Sequence, residues 1–220
     1  MERIPEPELM EDSAQARAYA AADFEAPHSA ILTHFQACFP HFAPTGALLD
    51  LGCGAADFTV RLARLYPQVP VHGLDGAPAM LAEARRRVAR EGLSDRITLI
   101  EACLPSVRLP VEKYALVFSN SLLHHLHEPA ALWDTVLQHT APGAPVFVAD
   151  LLRPRSEAHW HALTQRYSAG EPDVLRRDFR HSLAAAFTVE EVLGQLDRAG
   201  LEQFRVEAIS DRHLTAWGRR

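Results

Sequence analysis

Three features of this 220-residue sequence predict an α/β domain with a doubly wound, mostly parallel sheet. Five short apolar runs alternate with amphipathic helical segments, the pattern of parallel strands covered on both faces. A glycine turn joins the first run to the helix that follows it. Two closing segments, EQFRVEAIS and RHLTAWG, are separated by only a few polar residues, too few for a parallel crossover. They therefore predict an antiparallel C-terminal pair, which brings the sheet to seven strands.

In chain order, residues 1–12 read as an extended arm, and SAQARAYAAADF (Ser13 to Phe24) as a helix with Ser13 as N-cap. A second helix covers His28 to Phe39, and residues 1–44 together form an N-terminal helical cap. The five apolar runs are Ala47–Leu51, Val69–Leu74, Ile97–Ile100, Tyr114–Phe118 and Pro145–Leu151. The helices between them are Phe58–Leu65, Ala77–Glu91 and Pro129–His139. Residues 153–187 carry no strand pattern and read as a helical insertion broken at Gly170-Glu171-Pro172, a lid over a substrate. In TVEEVLGQLDRAGL, Thr188 and Glu191 make a capping box and Gly200 is the C-terminal stop. One domain spans 1–220.

Composition narrows the function classes. The formal charge is -6 and the basic residues are almost all Arg, without the basic stripe of a nucleic-acid binder. Three widely spaced cysteines, Cys38, Cys53 and Cys103, fit a reduced intracellular setting. The acidic, proline-punctuated N-terminus lacks an apolar core, and no run approaches a bilayer span, so a cytoplasmic protein with no membrane partner is expected.

The turn LLDLGCGAADF (Leu48 to Phe58) has Gly52 and Gly54 but Ala56 where a third glycine would stand. The glycines allow a tight turn and a close approach to a ligand. Asp75 ends the next strand, placed to accept hydrogen bonds from ribose hydroxyls. Asp50 and Asp57 flank the turn, and a dinucleotide would bring its pyrophosphate against them. S-adenosylmethionine instead carries a sulfonium and an ammonium, which carboxylates favour. A nicotinamide-linked short-chain oxidoreductase needs Tyr four residues before Lys, but Lys113 is the sole Lys and position 109 is Leu. A phosphate loop ending Gly-Lys-Ser/Thr is absent as well.

LLDLGCGAADF, VHGLDGAPAMLAEAR, ITLIEACLPSVRLP, YALVFSNSLLHHL and GAPVFVADLLRP, in this order, resemble the class I S-adenosylmethionine-dependent methyltransferases of the small-molecule kind. The resemblance covers Leu48 to Pro154, about half the chain. It implies a Rossmann-like, seven-stranded sheet with S-adenosylmethionine as cofactor and S-adenosylhomocysteine as product. It further implies that Asp50, Gly52, Cys53 and Gly54 line the methionine part, that Asp75 and Gly76 hold the ribose, and that Met80 lies against the adenine. Ala102 stands where the family carries an Asp, leaving Cys103 to offer its backbone N–H. Ser119 falls near the sulfonium, and Tyr19 and Phe24 lid the pocket. Ala115 replaces the Asp that commonly opens the fourth strand.

The chemistry would lie past the fourth strand, in SLLHHLHEP. His124 and His125 are the candidates for a general base or a group that positions the acceptor. The alternative is that this stretch only starts a helix and packs beside the cofactor. No metal is expected: adjacent histidines rarely reach one ion together, and no carboxylate stands at ligand spacing. The segment lacks the Asn/Asp-Pro-Pro-aromatic loop that grips a planar amine, so a small-molecule acceptor is expected rather than nucleic acid or a protein amide. In the insertion, Arg176 or Arg177 and Arg180 share a helical face that either holds an acceptor anion or pairs with Asp173 and Asp178. Trp160 and Tyr167, seven residues apart on one face, either belong to the core or form an aromatic pocket wall. The chain is expected to act as a monomer or homodimer. The competing expectation, prompted by Ala102 and Ala115, is a methyltransferase-like binding protein without catalysis.

Overall fold

The computed structural model describes residues 1–105 and 107–220, so Ser106, within the third quoted motif, lies outside the described residues. Seven strands form one sheet: β1 (Leu48–Leu51), β2 (Val71–Asp75), β3 (Ile97–Glu101), β4 (Leu116–Asn120), β5 (Pro145–Leu151), β6 (Arg205–Ala208) and β7 (His213–Arg219). Their order is β3-β2-β1-β4-β5-β7-β6. Every pairing from β3 to β5 is parallel. β7 runs antiparallel to both neighbours, with seven residue pairs to β5 and four to β6. The two closing strands are thus antiparallel to each other, as the short link requires, and the later one inserts between β5 and its predecessor.

The helices are α1 (Ser13–Ala21), α2 (Glu25–Cys38), α3 (Asp57–Leu65), α4 (Pro78–Arg90), α5 (Ala130–His139), α6 (Glu157–Ser168), α7 (Asp173–Ala185) and α8 (Val189–Arg198). The N-cap of α1 is Asp12, not Ser13: its carboxylate accepts the N–H groups of Ala14 and Gln15, both at 2.8 Å. Asp offers a charged acceptor at the helix's positive end, which a hydroxyl does not match. The expected box on α8 is present, with Thr188 and Glu191 satisfying each other's backbone N–H.

Strand side chains alternate between two cores, as a period of two demands. Leu49, Val117, Val146 and Val148 face α5 and α8, where Trp133 donates its indole N–H to Gln195 at 3.0 Å. Leu48, Leu116, Phe118, Phe147 and Ala149 face α2, α3 and α4. All seven residues of β5 are buried. A smaller cluster, Leu151, Leu163, Leu183 and Ala186, joins the α6–α7 insertion to the end of β5.

The chain winds outward from β1 in one direction and from β4 in the other, so β1 and β4 flank the switch point. The crevice at their carboxyl ends is where open α/β sheets bind ligands. Here the N-terminal arm and the α6–α7 insertion close over it. No described helix is long and apolar enough to cross a membrane.

Candidate active site

A cavity of about 750 Å³ opens at the carboxyl ends of the strands. Its floor is the turn after β1. Gly52 and Gly54 hold φ of 70° and 52°, and Ala56 follows at 62°, so the position without the third glycine still adopts the left-handed form. A Cβ on Gly52 would stand 2.8 Å from Leu122 Cβ, so glycine is required there by conformation and by space. Asp75 ties this turn to the next one: its carboxylate accepts the N–H of Gly54 and of Ala77, each at 2.8 Å. Each oxygen keeps a second lone-pair direction for a ligand hydroxyl. Burial raises the Asp75 carboxyl above its ordinary range.

Asp50 is almost fully buried and accepts the Thr59 hydroxyl at 2.6 Å. Burial, with the charges of Asp75 and Asp57 adding to it, pushes its carboxyl up to about 7. A cation arriving beside it would restore the ionised form.

The expectation for Asp57 requires correction. It is no free anion: His28 Nδ1 lies 2.8 Å away, Arg61 Nε 2.6 Å and Arg87 Nη1 2.5 Å. Burial works against ionisation, but hydrogen bonds and charge from His28 and Arg61 outweigh it and hold the carboxyl well below its usual range. Discrimination against a pyrophosphate therefore falls to Asp50, since a dinucleotide also brings a ribose to Asp75. It is reinforced by Arg87, whose guanidinium is committed to Asp57 and the Ala20 carbonyl. The donor set around the turn suits a cationic ligand.

Gly76, Met80, Ala102, Cys103, Tyr19 and Phe24 line the same cavity. Tyr19 and Phe24 pack ring to ring at 4.9 Å, and burial raises the Tyr19 phenol to about 12, so it stays neutral. Ser119 does not reach the cavity. It is fully buried, and its hydroxyl donates to the Leu51 carbonyl at 2.9 Å. Residues at strand ends alternate faces, and Asn120 and Ser121 line the cavity in its place.

The far end is built from the turn at Leu123–His125, the arm and the insertion. His124 is 2% exposed: its backbone N–H and its Nδ1 both meet the Asp150 carboxylate, and its Nε2 faces Glu6 Oε1 at 3.4 Å. Burial opposes a charge on this imidazole, but Asp150 and Glu6 raise its pKa. His125 also lines the cavity, and burial and the neighbouring His124 push it down to about 3. It is a neutral imidazole at physiological pH.

Glu6 and Asp150 went unnoticed in the sequence. The arm that brings Glu6 is latched by Arg3, whose guanidinium donates to the carbonyls of Ala185 (2.6 Å), His124 (2.9 Å) and Leu126 (3.1 Å). It also lies over the Phe187 ring at 4.0 Å. Farther along, Glu8 accepts the His127 N–H at 2.8 Å.

Tyr167 lines the cavity and donates to Asp211 at 2.8 Å. Arg177 and Arg180 do not line it: Arg177 pairs with Asp178 at 3.4 Å, and Arg180 lies over Trp160 at 4.4 Å. The guanidinium at this end is Arg212, stacked 3.4 Å from the Tyr167 ring centroid. It lies between β6 and β7, outside the insertion where helical spacing directed attention.

A family model described as a methyltransferase domain matches residues 48–143. Trans-aconitate 2-methyltransferase of Methylobacterium nodulans is 33% identical over 135 residues, 61% of this chain and 48% of its own length. Malonyl-[acyl-carrier protein] O-methyltransferase of Legionella pneumophila is 35% identical over 77 residues, 35% of this chain and 26% of its own. The chain thus spans half or less of these relatives. The crystal structure of an S-adenosylmethionine-dependent methyltransferase from Aquifex aeolicus superposes with a TM-score of 0.68 at 16% identity, covering 94% of this chain and 98% of that one. That likeness speaks for the fold.

Proposed function

We propose that the chain is a class I S-adenosylmethionine-dependent methyltransferase, as the methyltransferase-domain match over residues 48–143 supports, and that it methylates a small acceptor bearing a carboxylate. The carrying observation is the single cavity that runs from Asp75 and Met80 past His125 to Tyr167 and Arg212. Its volume of about 750 Å³ lies within the usual range for small-molecule sites, and the arm and insertion cover it.

When bound, S-adenosylmethionine supplies a methyl group on a cationic sulfur, from which an acceptor oxygen displaces a neutral thioether. Asp50 and Asp75 would hold its ammonium and ribose, Met80 and Tyr19 its apolar surfaces. The protein's own contribution is positioning: holding the nucleophile in line is worth many kcal/mol by itself. Arg212, which lines the cavity, stacks on Tyr167 and meets Asp211 at 3.5 Å, would turn its remaining donors to a carboxylate of the acceptor. A carboxylate has already lost its proton at neutral pH, so the transfer needs no general base. His125 then acts as a neutral imidazole that orients the acceptor, and His124 supports the arm. Two relatives are named for methylating trans-aconitate and malonyl-[acyl-carrier protein], and the first name supports a small carboxylate acceptor.

The test is ester formation. The full chain, methyl-labelled cofactor and a panel of small di- and tricarboxylic acids including trans-aconitate should yield a base-labile labelled ester, and Arg212→Met should raise KM more than it lowers kcat. Binding of S-adenosylhomocysteine without esterification of any acid rejects the acceptor class. No binding at all rejects the reading as a whole.

A further inference from the structure

Glu6, His124 and His125 converge where the arm crosses the turn after β4. Glu6 Oε1 stands 3.4 Å from His124 Nε2 and 3.4 Å from His125 Nδ1, and the three atoms lie within 4.8 Å of one another. The Glu6 side chain is only 10% exposed, and Oε1 has no hydrogen-bond partner among the described residues. A buried carboxylate oxygen aimed at two imidazole nitrogens without a bond to either is costly unless something joins them.

We propose that these three side chains bind a divalent transition-metal ion of the zinc type. Both distances from Glu6 fit: zinc–nitrogen and zinc–oxygen bonds in a tetrahedron place donor atoms roughly 3.3–3.5 Å apart. The surroundings fit as well. The other nitrogen of His124, Nδ1, is held by the Asp150 carboxylate, the arrangement that fixes the tautomer of a metal-bound histidine. Two imidazoles and a carboxylate select zinc, cobalt or iron over magnesium or calcium. With Asp150 included, two carboxylates offset the ion's charge, while Arg3 is engaged by three carbonyls and an aromatic face. Three protein ligands leave one tetrahedral position for a water or an acceptor oxygen, and His124 and His125 both border the cavity. The site is invisible in SLLHHLHEP because its third ligand comes from the far end of the chain. The ion would also pin the arm over the cavity, a role independent of which acceptor is methylated.

A second cluster, His34, Cys38 and Glu207, lies on the outer surface and serves as the internal control. There Cys38 Sγ and Glu207 Oε1 already meet His34 Nε2, at 3.5 Å and 3.4 Å, so no buried donor of the cluster is left without a partner among the described residues.

The experiment uses untagged full-length protein, stripped with chelator and titrated with cobalt(II) and then zinc(II) alone. One equivalent of cobalt should bind with visible absorption of tetrahedral intensity and be displaced by zinc. Glu6→Gln and His125→Ala should each weaken binding at least about tenfold, and Asp150→Asn roughly 10–100-fold as an outer partner. His34→Ala should change nothing. Circular dichroism and S-adenosylhomocysteine binding show whether each variant is folded. Asp75→Ala should weaken S-adenosylhomocysteine binding about a hundredfold and keep the cobalt spectrum, so failure of the methyltransferase reading and of the metal site are told apart. Absence of stoichiometric binding, binding unaffected by Glu6→Gln in folded protein, or loss in His34→Ala each overturns the proposal.

Discussion

Arg3→Ala should release the arm from the cavity. The guanidinium makes three hydrogen bonds to carbonyls on two separate segments and covers the Phe187 ring at 4.0 Å. Hydrogen bonds from a charged donor contribute about 1.5–3 kcal/mol each, and a cation–π contact about 0.5–1 kcal/mol. One group shares these contacts and regains water when freed, so the total is discounted below the additive low end of about 5 kcal/mol, to about 3 kcal/mol. That lowers the free energy of local opening and raises the open population roughly a hundredfold. Hydrogen exchange reads it directly. The Ile4 amide, bonded to the Ala184 carbonyl at 2.9 Å, and the His127 amide, bonded to Glu8, should both exchange about a hundredfold faster. The Leu48 amide in the central sheet should not change. Arg3→Lys should fall between, since an ammonium cannot reproduce the planar fork. Acceleration of less than about threefold at Ile4 would refute the latch.

Three further outcomes follow from the site. Asp75→Ala should weaken S-adenosylhomocysteine binding about a hundredfold by calorimetry, through two lost bonds of about 1.5 kcal/mol each; unchanged affinity would remove Asp75 from the ribose. Asp57→Asn should destabilise the fold by about 2 kcal/mol near neutral pH, below the range for a fully buried pair because the carboxylate is 26% exposed. The Asp57 carboxyl is depressed in the folded state, so its contribution is complete above the unfolded value of about 4 and declines as pH falls below that. Denaturant melts should therefore show the wild-type advantage shrinking on acidification; an advantage that grows would contradict the ion-pair account. Gly52→Ala meets both a φ of 70° and Leu122 Cβ at 2.8 Å, so it should cost about 2 kcal/mol or more and shift the thermal midpoint downward.

The sheet was legible because each strand and helix is specified locally, by apolar runs of strand length and by glycines and caps. The cofactor end was legible for the same reason: Gly52, Gly54, Asp75, Gly76 and Met80 lie in two short turns whose neighbours in sequence are neighbours in space. Errors entered where a side chain's direction or partner depends on distant chain. Ser119 and Asn120 differ by one position, and the pleat decides which faces the ligand. Asp57 looked free because two of its three partners, His28 and Arg87, sit on other helices. Arg177 and Arg180 had the right charge at the right spacing, yet Arg212 from a strand connection occupies the cavity. Glu6 carried no signal, since an acidic arm reads as solvated chain until Arg3 is seen to anchor it.

The placement of β7 has a consequence for synthesis. β5, buried along all seven residues, is paired by β4 early, while its other edge waits for the last strand of the sheet. During translation that edge offers seven residues of open backbone on an apolar strand until β7 arrives to cover it. β6 cannot substitute, since in the finished sheet it bonds only to β7. A chain interrupted before His213 therefore exposes an adhesive edge at the middle of its core, and finished chains crowded together before β7 docks would exchange it rather than close on themselves.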